Sequence, residues 1–190
     1  MPIHEALMPV VRAGSDLNQH HKAAWRIFAC GREGIEGRNF IFTIRNLSGQ
    51  QYLHIRATEP FPGSRERSLD IQEGETITIQ IKLNPLRTVT ETNEKTGLPV
   101  KHRRLVPKEQ RNAWATDMLE RRGMSVETLE LLDENVTRWG KPGYREMSSL
   151  VSEFKATVTV SDATLFHEAW VDGIGRRKGY GLGMMVRVKR

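Results

Sequence analysis

Residues 75–83 read Glu-Thr-Ile-Thr-Ile-Gln-Ile-Lys-Leu, and no other stretch of the chain restricts the fold as strongly. Ile77, Ile79, Ile81 and Leu83 fall on one side, and Thr76, Thr78, Gln80 and Lys82 on the other. A period of two with one apolar side specifies a strand with one buried face. Residues 39–46 repeat the pattern, Phe40, Phe42 and Ile44 against Thr43 and Arg45, and residues 51–57 bring Leu53 and Ile55 inward. Residues 3–12 read as an earlier strand. The helix that follows it runs to about Ala29, and Ser15 or Asp16 can cap its start. Residues 58–73 are polar, carry Pro60, Pro62 and Gly63, and hold at most a short helix. Strand, helix, strand, strand and strand, with the second helix short or lost, is the order of a ferredoxin-like unit.

The pattern recurs in the second half. Residues 86–92 and 99–106 read as a hairpin around Asn93–Gly97. Pro107 opens a helix to about Arg122. Residues 154–160 alternate as a strand, Asp162 caps a helix over 163–172, and 183–189 read as the last strand. Residues 124–150 fit no single pattern: 125–132 are open to a helical reading, and Trp139–Gly143 reads as a turn. The expected fold class is α+β, two tandem ferredoxin-like (RRM-like) domains over 1–84 and 85–190. A chain of 190 residues is long enough for both.

Charge is placed unevenly. The net charge is +6, and residues 176–190 hold six basic side chains and no acidic one, so the preceding 175 residues balance to zero. The same end carries Gly173, Gly175, Gly179, Gly181 and Gly183, with Arg176, Arg177 and Lys178 enclosed among them. Glycine lets backbone approach a ligand closely, and free N–H groups in such a loop suit phosphate oxygens. A basic patch on a flexible loop points to a nucleic-acid backbone as partner. Within the loop, Lys178 is a candidate charge against a phosphate, with Arg176 and Arg177 on flanking phosphates; the plain alternative is a solvated basic loop. A second patch comprises Lys101, His102, Arg103, Arg104, Lys108 and Arg111. The first four alternate along a hairpin arm, so they divide between its two sides.

Other classes recede. The single cysteine, Cys30, excludes a disulfide framework and fits a reducing cytoplasm. No apolar run reaches the roughly 18 residues needed to span a bilayer. The start Met1-Pro2-Ile3-His4-Glu5 lacks a basic segment and an apolar segment, so no signal peptide is expected. His4, His54 and His167 have no partners at metal-ligand spacing, no acidic cluster resembles a two-metal nuclease, and there is no P-loop. Neither cofactor nor metal is expected. Trp25, Trp114 and Trp170 sit at core-type helix positions and read as packing residues, whereas Trp139 and Tyr144 are the candidates for stacking on bases.

The glycine loop Gly173–Gly183 resembles that of CRISPR-associated RAMP proteins, and further blocks narrow the resemblance to the CasE-like endoribonucleases. Asp16-Leu17-Asn18-Gln19-His20-His21-Lys22-Ala23-Ala24-Trp25 resembles that family's first helix. Arg38–Phe42 resembles its second strand, and Leu83–Thr88 the strand crossing into the second domain. Lys101–Arg104 and Asn112-Ala113-Trp114 resemble the following hairpin and helix. The blocks occur in the family's order and cover most of the chain except 124–150. The resemblance implies two ferredoxin-like domains and one metal-independent cut in each repeat RNA, at the base of a stem-loop. It also implies retention of the product within a surveillance ribonucleoprotein. Expected partners are therefore the CRISPR repeat stem-loop and other effector subunits, with no membrane and a cytoplasmic location.

RNA supplies its own nucleophile, the 2′-hydroxyl; a protein cleaves it by moving protons and stabilising the phosphorane. Histidine suits the proton transfers. By periodicity His21 shares a stripe with Leu17, Trp25 and Phe28, which is a packing position. The resemblance places the family's catalytic histidine four residues before the helix tryptophan, which here is His21. His20 points about 100° away and is read as a supporting RNA contact or a surface residue. Where better-known members carry a tyrosine, three residues before the histidine, this chain has Asn18. An amide donates a hydrogen bond but transfers no proton. The family also has a lysine in this loop, and Lys178 is read as a charge against the scissile or adjacent phosphate; the resemblance implies that the second basic patch faces the RNA stem. A hairpin-binding subunit without catalysis is the alternative.

Overall fold

In the computed structural model, which describes residues 2–10, 17–30, 38–139 and 147–189, the first sheet contains β1 (Pro2–Pro9), β2 (Phe40–Leu47), β3 (Gln50–Ala57) and β4 (Arg65–Ser68). Their order is β2-β3-β1-β4, and every pairing is antiparallel. Helix α1 (Leu17–Ala29) connects β1 to β2. Its Ala24 and Phe28 are fully buried and pack with Phe40, Phe42, Leu53, Ile55 and Phe61 in one core. The predicted helix end at Ala29 agrees; Ser15 and Asp16, the expected caps, lie outside the described residues.

The second sheet has the order β10-β5-β9-β8, from β5 (Thr76–Leu83), β8 (Met124–Trp139), β9 (Met147–Val160) and β10 (Val186–Arg187). Helices α2 (Arg111–Glu120) and α3 (Ala163–Asp172) belong to this unit. Ile77, Ile79, Ile81, Phe154, Ala156, Val158, Leu119 and Phe166 share its core. Asp162 caps α3 as predicted, accepting from the Leu165 N–H at 2.9 Å. The hairpin β6 (Leu86–Thr92) and β7 (Pro99–Leu105) is a separate two-stranded sheet inserted between β5 and α2.

Both main sheets thus have the ferredoxin-like order, in which the unit's first strand lies between its fourth and its third. The strands that fill the places differ from those expected. Residues 75–83 do not complete the first unit: β5 opens the second, pairing with β9 and β10. The boundary expected after residue 84 therefore falls inside the second unit. The fourth place in the first sheet goes to β4, within the stretch read as at most a short helix. All four of its residues are exposed, so it carries no apolar alternation to betray it. Residues 125–132 are strand, not helix. β8 bulges between Val126 and Thr128 and between Leu131 and Asp133; each bulge shifts the alternation by one and hides the period of two.

One buried cation fastens the units together. Arg56 of β3 is 1% exposed and donates to Glu5 Oε1 at 2.6 Å, to the Trp170 carbonyl at 2.7 Å and to the Met185 carbonyl at 3.0 Å. Its guanidinium also lies 4.3 Å from the Trp170 ring centroid. A buried charge is tolerable only when paired and hydrogen-bonded in this way. From the other side, Lys82 of β5 donates to the Ile44 carbonyl of β2 at 2.8 Å.

Candidate active site

The site forms where α1 meets the glycine loop. Burial of Ala24 and Phe28 fixes the rotation of α1, which leaves His21 half-buried near its N-terminal end. The loop enters from α3, turns through a left-handed Arg177 (φ 62°) into a 3-10 turn over Lys178–Tyr180, and leaves toward β10. His21 Nδ1 lies 2.6 Å from the Gly179 carbonyl oxygen. A carbonyl only accepts, so Nδ1 carries the proton and donates. That bond fixes the neutral ring as the tautomer whose Nε2 holds a free lone pair. The Tyr180 ring sits 5.6 Å from the His21 ring, tilted by 33°.

Two cations flank the same turn. Arg38 Nη1 lies 3.0 Å from where a Cβ on Gly179 would stand. That nitrogen is buried without a hydrogen-bond partner among the described residues. An unpaired buried donor on a cation is a place for an anion. The aliphatic stem of Lys178 crosses Gly173, its Cδ 3.3 Å from the missing Cβ. Burial lowers the pKa of both cations; for Lys178, the Asp172 charge opposes the shift and Arg38 and Arg122 add to it.

Two of the loop's glycines do not offer the free amides expected of them. The Gly173 N–H donates to the Ala169 carbonyl at 2.9 Å and the Gly181 N–H to the Lys178 carbonyl at 3.3 Å, so neither amide is free for phosphate. Close packing explains the composition instead. A Cβ on Gly183 would stand 2.2 Å from the Ile174 carbonyl oxygen, and one on Gly181 would stand 2.9 Å from Phe42. Only a residue without a side chain lets the loop lie that close to its neighbours.

The remaining predicted residues divide. Lys101, His102, Arg103, Arg104 and Lys108 are exposed, and Arg104 pairs with Glu91 at 2.5 Å. The loop reaches this hairpin through Arg176, which donates to Thr88 Oγ1 at 3.0 Å. Thr88 stands opposite Arg103 in the ladder, so Arg176, Arg103 and Lys101 line one continuous side. Arg111 does not join them. It is 8% exposed, donates to the Val106 carbonyl at 3.1 Å and pairs with Glu134. It anchors the start of α2 to β8. His20 is 7% and Asn18 6% exposed, so neither is a surface residue. Trp25, Trp114 and Trp170 pack in the cores as expected. The Trp139 side chain, Tyr144 and the turn after Trp139 lie outside the described residues.

Sequence reasoning passed over Arg38 and Tyr180 as site residues. Arg38 had no local signal beyond preceding a strand. Tyr180 was visible inside the glycine loop, next to the glycine whose carbonyl takes the His21 bond. Among the described residues no group of three or more His, Cys, Asp or Glu could hold a metal ion, and no helix is long and apolar enough to cross a membrane.

No curated relative matches the sequence. The solved structure of the CRISPR endoribonuclease Cse3 bound to a 19-nucleotide RNA superposes with a TM-score of 0.74 at 13% identity, covering 99% of both chains. The CRISPR-associated protein Cas6e from Escherichia coli str. K-12 gives 0.72 at 18% identity over 100% of both chains. A chain of a CRISPR RNA-guided surveillance complex, in a pre-nicking state, gives 0.66 at 20% identity over 100% of both. The family model described as CRISPR associated protein matches residues 3–188. With nearly its whole length inside that model and its two sheets in the arrangement of Cse3 and Cas6e, the chain belongs to the CRISPR-associated protein family.

Proposed function

We propose that this protein is a metal-independent endoribonuclease that binds the repeat stem-loop of precursor CRISPR RNA and cuts it at the base of the stem. The observation that carries the reading is the bond from His21 Nδ1 to the Gly179 carbonyl, because it points a basic Nε2 away from the loop while two cations flank the same turn. In the reaction His21 Nε2 takes the proton from the ribose 2′-hydroxyl. The 2′-oxygen bonds to phosphorus, the bond from phosphorus to the 5′-oxygen breaks, the 5′-oxygen takes a proton from water, and His21 then returns its own proton to solvent. The products are a 2′,3′-cyclic phosphate and a 5′-hydroxyl. Lys178 and Arg38 face the charge that builds on the phosphorane, where fixed cations stabilise the transition state more than the ground state.

Arg176, Arg177, Arg103, Lys101, Arg104 and Lys108 hold the stem by its phosphates, since an A-form duplex is read largely through shape and backbone. Gly175 and Gly179 let the strand come close to the loop, and Gly173 and Gly181 shape it. Asn18 and His20, both buried on α1, hold in place the helix start that carries His21. Solved relatives include an endoribonuclease bound to RNA and a member of a surveillance complex, and we place this chain likewise on its product in a cytoplasmic ribonucleoprotein. The test is incubation of the all-ribose repeat RNA with the protein in EDTA. A single cut with a cyclic-phosphate end supports the reading; tight hairpin binding with no cut makes the chain a non-catalytic subunit.

A further inference from the structure

The ribbon formed by the ends of β8 and β9 has no role in the proposal above. β5 pairs with β9 only as far as Ser152, so residues 147–151 of β9 and 135–139 of β8 continue past the sheet as two strands alone. They reach across to α1 and close one side of a cleft of about 170 Å³. His20, Asn135, Thr137, Val151, Tyr180 and Gly181 are among its lining residues. Tyr180 belongs to both places, since its ring also stands 5.6 Å from that of His21.

We infer that this cleft is a subsite for one unpaired nucleobase flanking the scissile phosphate, an inference that rests on the proposed reaction. Asn135 faces Val151 and Thr137 faces Ser149 in the ladder, so all four side chains share one side of the ribbon. Ser149 is 7% exposed, and its hydroxyl has no hydrogen-bond partner among the described residues. Asn135 is held in one orientation: its Nδ2 donates to Asp133 at 3.1 Å and its Oδ1 accepts from Thr137 Oγ1 at 3.1 Å. That leaves one amide N–H as donor and the Thr137 oxygen as acceptor, side by side. Every nucleobase offers an adjacent acceptor and donor along one of its edges, and single-stranded RNA is recognised by such edges together with stacking on an aromatic ring. Tyr180 supplies the ring.

Charge separates a base from a phosphate here. Lys82, which lines the cleft, is already engaged by the Ile44 carbonyl at 2.8 Å and by Glu153 at 3.7 Å. Among the described residues no other lysine or arginine lines the cleft, whereas Lys178 belongs to the neighbouring turn and Arg38 stands beside its Gly179. The volume is well below the roughly 300 Å³ at which drug-sized ligands begin to fit, and it admits one flat ring system.

The test uses the full chain and a repeat hairpin whose stem-base flank carries 2′-deoxyribose, so that nothing is cut. Each flanking nucleotide is made abasic in turn and affinity is measured. We expect one position at which loss of the base weakens binding about tenfold. Asn135→Ala and Thr137→Val should each weaken the intact RNA severalfold and the RNA abasic at that position less than about twofold, since the partner is already gone. Both residues lie on a solvent-facing ribbon, so the variants should fold; circular dichroism checks this. Equal losses on intact and abasic RNA, no sensitive position, or no binding of either RNA overturns the subsite. Failure of the nuclease reading is distinguishable: the wild-type chain would then leave the all-ribose hairpin whole while the binding cycle stays readable.

Discussion

His21 on the first helix and Gly179 in the last loop are 158 positions apart in sequence and are joined by a 2.6 Å hydrogen bond. The bond does two things at once. It ties the N-terminal unit to the C-terminal loop, and it selects the ring nitrogen that stays basic. Any change that moves the loop therefore also releases the histidine.

His21→Ala should slow cutting of the repeat RNA by about 10²–10⁴-fold, the range for removal of a positioned proton-transfer group. Hairpin affinity should change by less than about threefold, because the phosphate contacts remain. Asn18→Ala, a buried change about one turn earlier on α1, should have a smaller effect. Single-turnover cleavage in EDTA and a filter-binding titration measure the two quantities. Wild-type cutting by His21→Ala removes the residue from the mechanism.

Arg38→Ala should lower the cleavage rate by about 10²-fold and leave hairpin affinity within a few-fold. Its buried Nη1 lies beside Gly179, whose carbonyl holds His21. Arg38→Lys should recover part of the rate, since charge returns without the planar fork. A loss confined to affinity would instead make Arg38 a binding residue.

Arg111 and Arg103 look alike in the sequence and should behave oppositely. Arg111→Ala leaves Glu134 without its buried partner and should cost about 3–5 kcal/mol of stability. Arg103→Ala should leave the urea midpoint unchanged and reduce the slope of log affinity against log salt by about 1. Urea unfolding and a salt titration on each variant decide the matter.

Gly183 and Gly49 have nearly the same backbone, φ +82° and +80°. A Cβ at Gly183 meets the Ile174 carbonyl at 2.2 Å, whereas nothing lies within 4 Å of one at Gly49. Gly49→Ala should therefore cost only the left-handed penalty, about 1–2 kcal/mol. Gly183→Ala should cost clearly more and also slow cutting, because the loop must shift. Thermal melts and cleavage rates of the two variants supply the comparison.

Acid should loosen the joint between the units. Burial alone would raise the Glu5 carboxyl, but the His54 hydrogen bond and the Arg56 charge outweigh it and hold the pKa at about 2 instead of 4.5. Between those values the unfolded chain binds the Glu5 proton and the folded chain does not. This contribution is thus complete above pH 4.5 and is lost as the pH falls toward about 2. It amounts to roughly 3 kcal/mol as an upper bound. His54 acts in the same direction: burial lowers its pKa against the pull of Glu5, so the unfolded chain takes up that proton first as the pH falls below 6.5. Glu5→Gln should reduce the urea midpoint at pH 7 and flatten its decline between pH 5 and 3. An unchanged acid limb would contradict this account.

What the sequence determined by itself was local. The alternation of Thr76–Leu83, Phe40–Leu47 and Gln50–Ala57 specified strands and their buried faces, the Asp162 cap specified where α3 begins, and the turn at 93–97 specified a hairpin. A period of two says which side chains go inward and says nothing about which neighbour completes the ladder. Hence β5 was legible as a strand and illegible as the first strand of the second sheet. β4 carries no apolar side chain and β8 is interrupted by bulges, so only their hydrogen-bonded partners reveal them as strands.

The site divides along the same line. Residue type and spacing marked Lys178 and the glycine loop, whereas His21 read as a packing position by spacing and was marked by the resemblance of its helix. Tertiary structure alone decided that Arg111 is an internal anchor, that Arg38 stands beside Gly179 and Tyr180 beside His21, and that the Gly173 and Gly181 amides are engaged within the loop. The reason is that a polar side chain's role depends on what buries or faces it. For these residues those neighbours come from segments far away along the chain, which local pattern does not encode.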